Sequence, residues 1–184
     1  MMKPILFALW IFGSLTLLNA QQQTDSIAPL YQKQNEVKLN GILLLLGSAE
    51  ASYERNLNDE SSVGISFLVP YDKEFMQPSI NYYVAPYYRV FFGKKYAAGF
   101  FVEGFAMLNS SEREKEITPN DGYFYTEEKT VTDLAVGIGL GGKWVTKSGF
   151  VFELINGIGR NLFNTDYDDP NIVGKFGFNL GYRF

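Results

Sequence analysis

The last eleven residues, GKFGFNLGYRF, alternate without a break: Phe176, Phe178, Leu180, Tyr182 and Phe184 take every second position, with Lys175, Gly177, Asn179, Gly181 and Arg183 between them. Successive side chains of a β-strand point to opposite faces, so this stretch has one wholly apolar face and one that is charged, polar or empty. Something apolar must cover the first face. Either a protein core does so or a lipid bilayer does, and the choice sets the class of protein.

The zigzag recurs along most of the chain. Eight segments have strand character, at about 36–46, 48–57, 62–69, 79–92, 97–108, 130–144, 149–161 and 172–184. NDES (58–61), GKKY (93–96) and VTKS (145–148) between them are tight and polar, whereas 70–78, 109–129 and 162–171 are long; a connection near Gly47 is short. Short turns on one side and long loops on the other predict an all-β fold, an eight-stranded antiparallel up-and-down transmembrane β-barrel over 36–184 with its turns in the periplasm.

The second face decides between the two coverings. Leu134, Val136, Ile138 and Leu140 alternate with Asp133, Ala135, Gly137, Gly139 and Gly141. Exposed strands of a soluble barrel would carry Thr, Lys and Glu rather than rows of glycine. With lipid outside, the glycine face lines a narrow lumen in which small residues leave room for large ones. The same phasing turns Glu50, Glu54, Glu103, Asp133 and Glu153 inward with Lys38, Arg89, Lys143, Lys175 and Arg183, and buried ions must be paired. Tyr53, Phe91, Phe92, Tyr96, Trp144, Phe150, Tyr182 and Phe184 fall at strand ends on the periplasmic side, as an interfacial girdle does. Asn156 falls outward in mid-strand, which suggests a bulge or a slip of phase, and Arg55 falls outward near a strand end, from which it can snorkel.

The N-terminus adds an address. Lys3, the apolar run Ile5–Leu18 and the small residue Ala20 before QQQ read as a secretory signal over 1–20, followed by a flexible segment over 21–35. No cysteine follows the apolar run, so neither a lipid anchor nor a disulfide framework is available. Without Lys3 the balance is 15 basic against 20 acidic residues, a charge of -5, which gives no footprint for nucleic acid.

The export signal, eight alternating strands and terminal KFGFNLGYRF resemble the small outer-membrane β-barrels of the OmpA and OmpX type. EVKLNGILLLLGSAEASYERNLNDESSVGIS and GIGLGGKW resemble more closely a Bacteroidetes barrel family known only as a domain of unknown function. The resemblance implies the outer membrane of a Gram-negative bacterium and insertion by the barrel-assembly machinery, whose signal is similar to Lys175, Gly177, Leu180, Tyr182 and Phe184. It implies no activity.

Outer-membrane barrel enzymes such as lipid A deacylases, palmitoyl transferases and omptin-like proteases are similar in using a histidine base, and this chain has no histidine and no cysteine. The commonest activated nucleophiles therefore cannot be built, and Glu50 and Glu54, on one face of one strand, belong to the lumen ion network. Asn164, Asp166 and Asp168 have the spacing of a calcium loop but lack its glycine at position six and its acid at position twelve. No catalytic residue, metal or cofactor is expected. The expected partners are outer-membrane lipid, the assembly machinery, and an extracellular partner or lipopolysaccharide at loop 109–129, where Tyr123, Phe124 and Tyr125 offer apolar surface. The expected role is structural or interactive, without an open pore. The alternative is a soluble periplasmic lipocalin-like carrier with the apolar face turned inward around a hydrophobic ligand.

Overall fold

The computed structural model describes residues 33–72, 80–117, 125–164 and 171–184. The signal at 1–20, all but the end of the segment 21–35, the aromatic stretch Tyr123–Phe124 and the calcium-like Asp166 and Asp168 lie outside these residues. The described chain forms eight strands: β1 (Asn35–Asn40), β2 (Ser48–Asn56), β3 (Ser61–Pro70), β4 (Ile80–Phe92), β5 (Gly99–Ile117), β6 (Tyr125–Val145), β7 (Phe150–Asn161) and β8 (Ile172–Arg183). Each pairs antiparallel with the next, and β1 pairs with β8, so the sheet closes into an up-and-down barrel.

The two faces of each strand are those of the sequence pattern. Val63, Ile65 and Phe67 on β3, Leu134, Val136, Ile138 and Leu140 on β6, and Phe176, Leu180 and Tyr182 on β8 are all exposed on the outer wall. Glu54, Arg89, Glu103, Lys143 and Glu153 are buried inside it. Closure removes every free sheet edge where the ladders are complete, and a barrel of eight strands leaves an interior that side chains can fill.

Glycine is where the interior is fullest. A Cβ on Gly64 or on Gly141 would fall within the rings of Tyr87 and Phe101, and one on Gly177 would fall on the side chain of Asn40. Each of these glycines lies beside a large inward residue on a neighbouring strand, Gly64 directly opposite Tyr87 and Gly141 directly opposite Phe101. Small and large residues therefore interlock across the ladders, as close packing in a narrow cylinder requires.

Four expectations need correction. The first strand, expected over 36–46, stops at Asn40, and residues Gly41–Leu45 form a short helix, α1. The continuous run GILLLL has no period to separate strand from helix. What decides is capping: the Asn40 carboxamide accepts from the Leu43 N–H at 3.2 Å, and the Leu46 N–H returns to the carbonyls of Ile42 and Leu43. Gly47 then leaves the helix at φ +85°, a conformation open to glycine, so the connection near it is a helix rather than a tight turn.

The second correction concerns 109–129. Residues 109–117 continue β5 and 125–129 begin β6, in a register that runs from Asn109↔Asp133 out to Ile117↔Tyr125. These residues are polar at nearly every position and give no alternation, so the sequence reads as loop. Third, the register of β7 against β6 and β8 is unbroken through Leu140↔Asn156↔Phe176, so Asn156 marks neither a bulge nor a slip; the described bulge lies on β4 between Ile80 and Tyr82. Fourth, Phe91 and Tyr96 do not belong to the girdle. Phe91 is buried and meets Phe101 edge-on at 5.6 Å, and Tyr96 packs against the same internal cluster, while Tyr53, Phe92, Trp144, Phe150, Tyr182 and Phe184 do face outward.

Gly137→Val puts a Cβ against the Phe105 ring and 2.6 Å from the Ile158 carbonyl oxygen. Overpacking of this kind costs ~1–3 kcal/mol. Urea unfolding of the variant in lipid vesicles is expected at a lower midpoint than that of Gly104→Val, whose Cβ would meet nothing within 4 Å.

Candidate functional site

The most concentrated chemistry in the barrel is the ionic layer across its lumen, and register assembles it. Arg89 lies directly opposite Glu103 on β5, Lys143 opposite Glu153 on β7, and Glu36 opposite Arg183 on β8. Glu54 is brought opposite Gly64, which leaves space above its neighbour for the Tyr87 ring.

Arg89 is the hub. Its Nε donates to Glu103 Oε2 at 2.7 Å, its Nη1 to Glu54 Oε2 at 2.7 Å and Glu153 Oε2 at 2.6 Å, and its Nη2 to Glu153 Oε1 at 3.0 Å. Four of the five guanidinium N–H donors are thus committed to carboxylates on three other strands. Lys38 Nζ reaches Glu54 at 2.5 Å and Glu153 at 2.7 Å, Lys143 Nζ reaches Glu36 at 3.0 Å and also binds Glu54, and Lys175 Nζ reaches Glu103 at 2.6 Å. Neutral groups take the remaining lone pairs: Ser62 and Tyr87 donate to Glu54, Asn179 to Glu153 and Asn56 to Glu36. All of these carboxylates are inaccessible to solvent, so the attraction between opposite charges is little screened.

The cations are also faced by aromatic rings. The Arg89 guanidinium lies 4.4 Å from the Tyr87 ring centre and 4.3 Å from that of Phe101, Lys143 Nζ 4.6 Å from Phe91, and Lys175 Nζ 4.2 Å from Tyr87. Ring faces replace part of the lost hydration of a buried cation. These rings belong to two apolar clusters inside the barrel. One contains Phe91, Ala97, Phe101 and Ile155; the other contains Leu43 of α1 with Leu68, Tyr83, Tyr87, Phe105 and Met107. Leu43 is buried because α1 turns in at the end of the barrel away from the short turns, and it covers the lumen there.

Of the residues that sequence reasoning assigned to the lumen, the structure gathers Lys38, Glu54, Arg89, Glu103, Lys143, Glu153, Lys175 and Arg183 into one connected network. Glu50 and Asp133 are inside but apart from it. Glu50 is held by the Asn40 carboxamide at 2.6 Å, and Asp133 accepts from the backbone N–H groups of Leu134 and Phe163, with Arg113 3.8 Å away. Glu36 was overlooked, although it shares the parity of Lys38 on the same strand; it joins Arg183 to Lys143. Arg113 was overlooked because its segment reads as loop. Of the five residues read as an assembly signal, Lys175 and Gly177 face inward and Leu180, Tyr182 and Phe184 face outward.

Each network carboxylate is engaged by at least one cation, and aromatic rings face the cations. Arg183 further anchors the turn before β5, donating to the carbonyls of Tyr96 at 2.9 Å and Ala97 at 2.8 Å, so the turn is held across the barrel end.

A comparison with solved structures finds the Yersinia pestis outer membrane protein Ail, whose backbone structure is known in a phospholipid bilayer nanodisc. The two chains share 15% identity over 83% of this chain and 100% of that one, with a TM-score of 0.37, a likeness too loose to bear on function. No protein-family model matches the sequence, and no curated protein does.

Arg89→Met removes the hub while leaving Glu103 and Glu153 buried with fewer partners. Breaking a buried ion pair from one side costs about 3–5 kcal/mol. Denaturant unfolding followed by Trp144 fluorescence is expected to show a loss of that order, and the double variant Arg89→Met/Glu153→Gln is expected to recover part of it.

Proposed function

We propose that the chain is an integral outer-membrane β-barrel of a Gram-negative envelope, without catalytic activity and closed to solutes, whose role is structural or lies in presenting its outer loops. The observation that carries this reading is the direction of the side chains. Exposed leucine, isoleucine, valine and phenylalanine cover the outer wall, while glutamate, lysine and arginine fill the inside. Water would not favour so continuous an apolar wall, and hydrocarbon would. A lipocalin-like carrier needs the opposite arrangement, an apolar cavity within, and the ionic layer occupies that volume.

Export by a signal cleaved after Ala20, membership of the uncharacterised Bacteroidetes barrel family, and insertion by the assembly machinery through Lys175, Gly177, Leu180, Tyr182 and Phe184 belong to the same proposal and rest on the sequence resemblance. The β5–β6 ribbon, which extends past the neighbouring strands as far as Ile117 and Tyr125, supports a contact surface for a partner or lipopolysaccharide at 109–129.

Two measurements test the reading. Planar-bilayer recordings of the refolded protein are expected to show no stable conductance, since the ions, rings and Leu43 fill the lumen; a large, reproducible channel would overturn the closed-barrel reading. Ile138→Arg places a cation on the outer wall at mid-strand, where a lipid-facing arginine costs about 2–4 kcal/mol. Folding into vesicles is expected to weaken by that amount, whereas Glu60→Arg, in the exposed turn after β2, is expected to fold as the parent does.

A further inference from the structure

Asn156 breaks the chemistry of the wall on which it stands. It is exposed on the outer face of β7, directly between Leu140 of β6 and Phe176 of β8, with Leu154 and Ile158 before and after it on the same face. Its register is regular, and among the described residues its carboxamide makes no hydrogen bond. Its height is set by the girdle. Asn156 lies six residues beyond Phe150, about 20 Å along the strand. At a strand tilt near 40° that is about 15 Å of height, close to the middle of an apolar band about 25 Å tall. A carboxamide has two N–H donors and a carbonyl acceptor, and hydrocarbon satisfies none of them.

We propose that this wall is the contact between two copies of the chain, related by a two-fold axis along the membrane normal, with the two Asn156 carboxamides hydrogen-bonded to each other across it. The proposal rests on the membrane reading above. A two-fold axis brings each residue near its axis to its own image, and the carboxamide is the side chain that complements itself, one N–H given and one accepted on each side. A water or lipid headgroup would serve at either interface but not at the midplane. The surrounding wall suits close approach. Leu140, Leu154, Ile158 and Phe176 supply the apolar area, and Gly174, paired with Ile158, points outward with nothing within 4 Å of the place a Cβ would take. That dent can receive a side chain of the second copy. On the diametrically opposite strand, β3, the exposed residues Val63, Ile65 and Phe67 are purely apolar and leave no such group unsatisfied.

The absence of cysteine makes the test direct, because Leu154→Cys, beside Asn156 on the same outer face, and Ile65→Cys each introduce a single thiol and leave the Asn156 carboxamide in place. Both are folded into vesicles at a high lipid-to-protein ratio, and insertion is checked first by protease protection and by migration of unheated samples. Failure to insert would sink the membrane reading itself. Once insertion is established, oxidation is expected to link the position-154 variant into a covalent dimer and to leave the position-65 variant unlinked. Single-molecule photobleaching of the cysteine-free protein, labelled at its N-terminus, is expected to count two copies per spot, and Asn156→Leu one, with the migration of the folded barrel unchanged. Equal linking at positions 154 and 65, a monomeric parent protein, or an Asn156→Leu variant as dimeric as the parent would each overturn the dimer while leaving the membrane reading intact.

Discussion

Glutamates without any contact with water are tolerated in this barrel because cations stand at the same height on other strands. Each ion loses several kcal/mol of hydration on burial, by order of magnitude, and an isolated carboxylate in such a place would take up a proton or unfold its surroundings. Arg89 prevents this for Glu54, Glu103 and Glu153 together. The inward glycines, the ladder register and the closure of the ring can all be seen as conditions for that meeting. The glycines make room for the long side chains and the rings that flank them. The register sets opposite charges across from each other, and closure brings β1 and β8 together so that Glu36 can reach Arg183.

The same interlock fills the lumen at the height of the ions. A lumen lined by charge alone would draw in water. Here the charges are sealed by Phe91 and Phe101 towards the short turns and by Leu43, Tyr87 and Phe105 towards the long loops. The ions of this layer are buried, and multiple pairing rather than solvation compensates their charge. An interior of this kind gives the scaffold rigidity and leaves the extended β5–β6 ribbon and the outer wall as the surfaces available for interaction.

Much of the barrel was legible in the sequence because a barrel strand has only two faces and both left a mark. Val63, Ile65 and Phe67, or Leu134 to Leu140, state their side plainly, and the inward charges follow from parity alone. Where parity carried no information the reading failed. GILLLL is apolar at every position, so its helix depends on the capping of Asn40, which pattern cannot weigh. The ribbon beyond Asn109 is polar at nearly every position and so has no alternation to show. Phe91 and Phe92 are adjacent, and only the strand's phase tells that the first belongs inside with Arg89 and the second outside. Which base meets which acid was not legible either, because that depends on strand shear and side-chain length, quantities that alternation does not encode.

The short first strand leaves one further mark on the molecule. The β1–β8 ladder ends at Asn40↔Asn179, while β8 runs on to Ile172, so over its far half the last strand has α1 instead of a strand on its β1 side, and the Asn40 side chain reaches across to the Phe176 carbonyl at 2.9 Å. The joint between the first and last strands is thus zipped along only part of its length. The two ladders that β1 makes are the shortest in the ring, so a pull on the cylinder would meet the least backbone pairing on either side of this strand.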